Sequence, residues 1–477
     1  MRRFFSVLRV CVTLLCVCTG LHAEDIDKNN RSITYADYMK AVTETLPDLT
    51  RNRLQVQRAE NSLDGAYSAG DVRVTAEGSW SNSDSYSSQY TGSGAEDVTE
   101  YSLSAGIAKK FTSTGTTLEA GIGHDTIRAD SYGTRYYPSI YLKFSQSILK
   151  NSFGLIDRYA VNDAAMKLEI EKIKQAESDK TTLNYYSKLY FTWIENSGRL
   201  ELLRDSISYA EIIESDTEKK YKAGLAGIDD LYNARAVVNQ YRINYQKLLS
   251  TKESIEAEIR IIIGDGFVPV RSDFDAMYDE ARESAYGSVP FSRTQGAEVY
   301  RLTKNNLVYT LDVGRNRLLP ELDIVGQYTR KSQDDEFSGF TALDESDYYI
   351  GFSASYPLFN TEAESSLKGA EIAIEEINAE YKISENAYNG SLEKLVIEKD
   401  GLKRMIELSE SRIKLLDARY NTVYKKYRQG NMSLQQVIDA LQDITNEKTV
   451  LFQYKSSLIQ GYLDYTDLTR PVSGSSQ

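Results

Sequence analysis

The chain has 477 residues, a formal charge of −13, two histidines and three cysteines. The excess of acid argues against nucleic acid as a partner, because phosphate backbones bind basic surfaces. Beyond residue 23 there is no cysteine and only one histidine, His124, with no GxSxG or P-loop spacing. Disulfides, a histidine metal pair and cysteine nucleophiles are thereby excluded, so we expect no cofactor, no metal and no enzymatic activity.

The first 23 residues predict a secretory signal peptide. Arg2 and Arg3 precede an apolar run, and Ala23 supplies the small residue before a cleavage site. An alternative is a lipoprotein signal with Cys18 acylated, although Val17 stands where a small residue is expected. Cleavage after Ala23 removes three arginines and no acid, which takes the formal charge from −13 to −16.

Two regions of the chain alternate apolar and polar residues, which is typical of strands with two different faces. Ile140, Leu142 and Phe144 alternate with Tyr141 and Lys143. The segments 72–80 and 348–358 show the same pattern. A soluble sandwich would alternate in this way too. Strands of about ten residues, tyrosines at their ends and Gly/Ser-rich loops favour a membrane barrel.

The sequence is duplicated. "YKAGLAGIDDLYNA" (Tyr221 to Ala234) aligns with "YRQGNMSLQQVIDA" (Tyr427 to Ala440), and "SQSILKN" with "ASYPLFN". Both halves read as helix, strands, long helix, Gly-containing turn and long helix. The first half has a longer strand region, interpreted as an extra hairpin at about 100–128. We therefore predict four strands in the first half and two in the second.

Long coiled-coil helices follow the strands in both halves. Between Leu155 and Lys222 there is a single glycine, Gly198, and an unbroken helix of this length would extend about 100 Å. Apolar residues recur in alternating steps of four and three. In the second half these steps pass through Leu402, Ile406, Ser409, Ile413, Leu416, Tyr420, Val423 and Tyr427, of which only Ser409 is polar; in the first they include Leu200, Leu203, Ile207, Ala210 and Tyr221.

Membrane strands require several copies of the chain. No segment after the signal has the roughly 18 apolar residues of a membrane helix, and a sheet in hydrocarbon must close without a free edge. Six strands are too few to enclose a useful lumen. Three chains would supply 18 strands, or 12 if the extra hairpin stays outside the wall. The predicted fold class is mainly α with membrane β, in which a closed barrel shared by several chains is continued outside the bilayer by a second tube of long helices.

The duplicated strand-to-coil unit, "YPLFN" at the start of the long helix and the paired turns together resemble the TolC-like outer-membrane efflux proteins. The resemblance covers about Ile33 to Leu468. It implies a homotrimeric β-barrel in outer-membrane lipid, continued by an α-helical barrel in the periplasm. Its implied partners are a periplasmic adaptor (membrane fusion) protein and an inner-membrane transporter, in efflux or type I secretion.

The resemblance also implies roles for residues of the two turns. In the family, an aspartate of the first turn bonds a tyrosine and an arginine of the second to close the periplasmic end; the matching positions here are Asp230, Tyr427 and Met432. The family has two acidic residues at the constriction; the matching positions here are Gln436 and Asp439, so only one acid is present. The alternative interpretation is that Asp230 and Asp439 are ordinary solvated helix residues. The implied adaptor-contacting tip is Gly224, Leu225, Gly430, Asn431, Met432 and Ser433.

The predicted organisation has nine parts. These are the signal peptide 1–23, a periplasmic helix 24–68, barrel strands 69–150, a helical hairpin 151–264, a linker 265–290, a periplasmic helix 291–318, barrel strands 319–359, a helical hairpin 360–468 and a tail 469–477. A rival function from another class is a secreted coiled-coil adhesin or structural surface protein. Such a protein would stay in solution without detergent, and Asp439→Ala would not change its behaviour.

Overall fold

The computed structural model describes residues 31–86, 95–129, 133–337, 340 and 343–470, with side chains omitted for 84–86 and 95–96. The predicted signal peptide, with Cys18 of the alternative interpretation, lies outside the described residues, as do positions 471–477 of the predicted tail.

Six of the eight described strands form one sheet, and they divide between the halves of the chain as the sequence predicts. The sheet order is β2-β3-β4-β5-β7-β8, all antiparallel, while β1 and β6 form a separate parallel pair. The strands are β1 (Arg31–Ile33), β2 (Val72–Tyr86), β3 (Ala95–Phe111), β4 (Thr116–Ala129), β5 (Gly133–Ser147), β6 (Phe267–Pro269), β7 (Glu321–Lys331) and β8 (Glu345–Ser355).

Eight α-helices complete the described chain, and two of them have 68 residues each. They are α1 (Tyr35–Thr45), α2 (Pro47–Ala66), α3 (Leu155–Lys222), α4 (Ile228–Ile263), α5 (Arg271–Glu283), α6 (Gln295–Arg317), α7 (Thr361–Arg428) and α8 (Leu434–Leu468). Each long helix continues through a short turn into a shorter one, which gives the hairpins α3/α4 and α7/α8. No helix in the described part of the chain is long and apolar enough to span a membrane.

The chain divides into two compact units. The first contains 31–46, Tyr185–Ser284 and Lys399–Tyr462; the second contains the described residues of Pro47–Asn184 and Ala285–Glu398, with 463–470. The core of the first unit is formed by α3, α4, α7 and α8, around Ala210, Val238, Tyr420, Val437 and Leu441. Aromatic residues add a second contact, since Tyr190 stacks on Tyr38 with ring centroids 5.2 Å apart.

The second unit holds the six-stranded sheet and a small core of Phe291, Ala297, Tyr388 and Leu392. Cross-strand registers show that the two faces of the sheet differ. On one face Leu103 lies opposite both Gly78 and His124, and Leu118 lies opposite Phe144; on the other Glu119 lies opposite Lys143. The alternation read from the sequence is therefore present in the sheet.

Candidate functional site at the ends of the helical hairpins

The two turns that end α3 and α7 have the same backbone structure. Gly224 and Gly430 both have positive φ, +70° and +82°, a conformation that glycine adopts without the penalty a Cβ imposes. The amide of Leu225 donates to Lys220 O, and the amide of Asn431 donates to Lys426 O, each at the same spacing across the turn. The duplication therefore extends to individual hydrogen bonds.

Tyr427, a predicted gate residue, contacts the opposite hairpin through Thr217 of α3. The two hydroxyl oxygens are 2.7 Å apart, and both side chains are buried. Thr217 also bonds the carbonyl oxygen of Ile213 at 2.7 Å. Because a threonine hydroxyl has one proton, which goes to Ile213, the Tyr427 hydroxyl is the donor to Thr217.

Lys220 lies one turn further along α3 and reaches the same tyrosine. Its Nζ is 3.5 Å from the centroid of the Tyr427 ring and donates to the Tyr427 carbonyl oxygen. An ammonium over an aromatic face is attracted by the negative ring surface. Burial lowers the pKa of Lys220, while the carboxylates of Asp216 and Asp230 raise it. The lysine is thus a partly desolvated cation held between the two hairpins.

Asp216 of α3 receives two groups from α7. The Tyr424 hydroxyl donates to its Oδ2 at 2.9 Å, and Arg428 Nε lies 3.6 Å from the same oxygen. Burial, and then the bond to Asp216, raises the pKa of Tyr424 to about 12. A phenol that donates to a carboxylate is held in its neutral form, because losing its proton would place two negative charges together.

Asp230 lies in the first turn of α4 and accepts from the amide of Gly227 at 3.4 Å. A carboxylate at this position is stabilised by the free amides and the dipole of the helix. Burial raises the pKa of Tyr427, and the negative charge of Asp230 raises it further. The Tyr427 hydroxyl is nevertheless bonded to Thr217. Met432, at the family's arginine position, packs on the apolar core of the hairpins.

Asp439 lies in the second turn of α8 and is half-buried. Its Oδ1 accepts from Gln435 Nε2 at 2.7 Å, and Gln435 Oε1 accepts from Asn233 of α4 at 3.1 Å. Gln436 accepts from the Ser433 amide at 3.1 Å, so it caps the helix. A ring of acids at Asp439 requires further copies of the chain and stays a prediction.

The predicted tip residues lie in the turns themselves. Leu225 is 78% exposed. Gly224, Gly430, Asn431 and Ser433 are exposed, and Met432 is half-buried. The turns therefore present a surface with one large apolar side chain, and adaptor contact stays a prediction for these residues.

Sequence reasoning missed five residues that join the two hairpins: Asp216, Thr217, Lys220, Tyr424 and Arg428. One signal was available. The repeat places the buried Val423 at the position of Thr217, and a hydroxyl in place of a core valine requires a partner.

Residues 304–464 match the outer membrane efflux protein family. No curated protein has significant sequence similarity to the chain. Among solved structures, the outer membrane protein VceC from Vibrio cholerae is similar with a TM-score of 0.65 and 13% identity, over 91% of this chain and 96% of that one.

Two further solved structures are comparable. The CmeC outer membrane channel of Campylobacter jejuni has a TM-score of 0.63 and 15% identity, over 95% of this chain and 93% of that one. The open state of the MtrE outer membrane channel of Neisseria gonorrhoeae has a TM-score of 0.64 and 11% identity, over 91% and 88%. The matched family confirms the resemblance read from the sequence. Its members are channels without enzymatic activity.

Proposed function

We propose that this chain is the exit duct of a tripartite efflux or type I secretion system. It matches the outer membrane efflux protein family over residues 304–464 and has the fold of outer-membrane channels. An inner-membrane transporter would deliver substrate, and a periplasmic adaptor would connect that transporter to the ends of the helical hairpins. The chain is located in the outer membrane and extends into the periplasm.

The observation that carries this proposal is the apolar face of the sheet. Each strand of the six-stranded sheet exposes large apolar side chains on this one face, and the described part of the chain leaves them uncovered. They are Val72, Val74, Trp80, Leu103, Ile107, Leu118, Ile122, Ile140, Leu142, Phe144, Ile324, Tyr328, Ile350 and Phe352. A soluble monomer rarely exposes a contiguous apolar patch of this extent, whereas lipid covers one in a membrane barrel.

The opposite face is polar and suits an aqueous lumen. Ser102 donates to Asp125 at 2.5 Å, and Tyr141 donates to Glu119 at 3.0 Å. Lys331 pairs with Asp347 at 2.6 Å. Charged and hydroxyl side chains on this face would be costly against hydrocarbon. We therefore propose that this face lines the aqueous lumen and that the apolar face contacts lipid.

The edges of the sheet support an oligomer. β2 and β8 end the six-stranded order, and open edges are not tolerated in hydrocarbon. We propose that β2 of one copy pairs with β8 of the next, in a homotrimer. β3 and β4 lie between β2 and β5 and pair along their lengths, which supports the proposal that the extra hairpin forms part of the wall. Three chains would then contribute 18 strands.

An 18-stranded barrel would be about 1.5 times as wide as a 12-stranded one, because diameter grows roughly linearly with strand number. Barrels of about this size leave an open aqueous channel. The proposed duct would therefore have a wide outer mouth, with passage limited at the hairpin ends. Selection among substrates would belong to the transporter.

Planar-bilayer recording of the detergent-purified protein tests this function. The proposal expects discrete single-channel steps from an oligomer, and a change in those steps when the cognate adaptor is added. A stable protein that inserts in no bilayer and gives no conductance would contradict it.

A further inference from the structure

We propose that the polar face of the sheet carries a binding recess for planar aromatic cations, built around Glu100 and Asp125 of the extra hairpin and Tyr349 of β8. The inference rests on the proposed function, because only a conducting oligomer turns this face towards passing substrate. It gives the wall of the duct a ligand of defined chemistry, while choice among substrates stays with the transporter.

The recess is an open cavity of about 550 Å³ between the extra hairpin and the last two strands of the sheet. Sites for small organic ligands have volumes of roughly 300–1,000 Å³. The principal side chains that line the recess are Glu100, Asp125, Tyr137, Lys331, Asp347 and Tyr349. A small organic molecule therefore fits against the wall of the lumen.

The charge of the recess favours a cation. Three carboxylates line it, those of Glu100, Asp125 and Asp347, with the single ammonium of Lys331. Lys331 Nζ lies 2.6 Å from Asp347 Oδ2, so these two charges offset each other. Asp125 accepts from Ser102 at 2.5 Å, and the exposed Glu100 has no partner in the described part of the chain. The recess therefore keeps a net negative charge, which attracts cations.

Two tyrosines of the polar face lie along the wall, because glycines leave room for their rings. Tyr141 lies opposite Gly121, which lies opposite Gly106. A Cβ on Gly121 would be 2.5 Å from the Tyr141 hydroxyl, and a Cβ on Gly106 would be 2.9 Å from it. A Cβ on Gly351 would overlap the Tyr349 hydroxyl and lie 2.5 Å from its Cζ. Both side chains therefore cover the sheet and do not project across the lumen.

Tyr349 gives the recess an aromatic surface. Its side chain is 60% exposed, so much of the ring is accessible to a ligand. An aromatic face attracts a cation through its negative π surface and stacks with a planar apolar group. Asp347 lies two residues before Tyr349 on the same face of β8. An aromatic ring beside carboxylates favours a ligand that is both planar and positively charged.

The recess depends on the hairpin that the second half of the chain lacks. Glu100 lies on β3 and Asp125 on β4, and without them the ion pair of Lys331 and Asp347 would leave the site neutral. Each copy of the chain would contribute one recess, and the proposed homotrimer three. An exposed aromatic contact and an exposed ion pair each contribute little. Weak binding suits a duct, because a ligand must also leave the wall.

The test measures block of single-channel current by benzyltrimethylammonium, an aromatic cation, added to both chambers. Glu100→Gln removes the charge and keeps the shape, and Tyr349→Leu removes the ring. Each should raise the concentration for half block about two- to fivefold, as expected for losing one exposed contact. Tyr349→Phe keeps the ring and should retain the block, which separates loss of the aromatic surface from a disturbance of β8.

Matched controls come from the same sheet. Glu77→Gln removes an exposed carboxylate from the polar face of β2, outside the recess, and Tyr328→Leu removes a tyrosine from the apolar face of β7. Both variants should be blocked as the wild type is. Two further probes control the ligand, since tetramethylammonium lacks the ring and benzenesulfonate reverses the charge. Each should need a concentration at least about twofold higher for half block.

The outcomes separate the two proposals. A wild type that forms no pore would overturn the proposed function and the role of the recess in a lumen. A wild type that conducts without block would overturn the recess alone. Equal block of the wild type and the assembled Glu100→Gln and Tyr349→Leu proteins would also overturn only the recess.

A second measurement does not depend on conductance. Saturation-transfer NMR detects weak binding of benzyltrimethylammonium to the detergent-solubilised protein. Weaker transfer in Glu100→Gln and Tyr349→Leu than in the wild type and the two control variants would support the recess. Equal transfer in all five proteins would overturn it.

Discussion

Tyr221 and Tyr427 occupy equivalent positions at the ends of α3 and α7, yet Tyr427 is 4% exposed and Tyr221 is 40% exposed. Each backbone carbonyl accepts from the glycine of its own turn, at 2.9 Å for Tyr221 and 3.0 Å for Tyr427. Local structure is therefore duplicated while the environment of the side chain is not. The difference arises because only Tyr427 faces the opposite hairpin.

The first prediction uses this pair. Tyr427→Phe removes the donor to Thr217 and should destabilise the hairpin contact by about 1 kcal/mol. Tyr221→Phe should leave stability unchanged. Denaturant unfolding of the purified oligomers measures the difference. Equal effects of the two substitutions would show that the bond to Thr217 contributes nothing measurable.

The second prediction concerns the proposed gate at Asp230. Tyr427→Phe combined with Asp230→Ala should raise conductance or antibiotic leakage, because the double variant loses the phenol that bonds Thr217 and the carboxylate that the family resemblance places in the closing bonds. Single-channel recording measures the effect, and growth on antibiotics reports it in cells. If the folded double variant conducts as the wild type does, closure uses other contacts.

The third prediction concerns charge at the entrance. A ring of Asp439 carboxylates would attract cations, so Asp439→Asn should reduce the preference for cations, while Asp439→Glu retains it. Reversal potentials in a salt gradient measure this preference. Unchanged selectivity in the asparagine variant would place the charge of Asp439 away from the ion pathway.

The fourth prediction places the extra hairpin in the membrane wall. Leu103 lies at the middle of β3 on the apolar face and is 64% exposed. Leu103→Arg should therefore cost about 2 to 4 kcal/mol against lipid and reduce assembly. Ser104→Arg is the control, because Ser104 lies on the polar face between Glu77 and Gly123. Recovery of folded oligomer from membranes measures both, and equal tolerance would favour a 12-stranded wall.

The fifth prediction follows from the raised pKa of Tyr424, about 12 compared with an ordinary value of about 10. Between these values the unfolded chain loses the phenol proton while the folded chain retains it. The contribution of Tyr424 to stability is therefore complete below pH 10 and is lost as pH rises towards 12. Tyrosinate absorbance of the wild type minus Tyr424→Phe should show one group that titrates near 12; titration near 10 would contradict the bond to Asp216.

Much of the fold could be predicted from the sequence, because the spacing of apolar residues indicates which side of a helix or strand is buried. The spacing of four and three in the second half selects Ile406, Leu416, Tyr420 and Tyr427, and all are buried. The same spacing in the first half was wrong for Tyr221, which is exposed. In the last turn of α3, α7 contacts Lys220 while Tyr221 is exposed, and a periodic sequence cannot indicate which residue of a turn faces its partner.

The candidate site was only partly predictable. Repeat alignment located both turns and their glycines, because φ > 0 restricts residue choice strongly. It could not locate the contacts of Thr217 and Lys220, since these depend on how α3 and α7 are aligned along each other. Residues far apart in sequence, with no shared pattern, define that alignment.

The proposed channel requires several copies of this chain to complete one pore, and planar-bilayer conductance of the processed, detergent-solubilised protein is the decisive measurement. We expect discrete, cation-selective channel openings from a stable oligomer. A monomer that stays folded in detergent-free buffer and adds no current to the bilayer would contradict it.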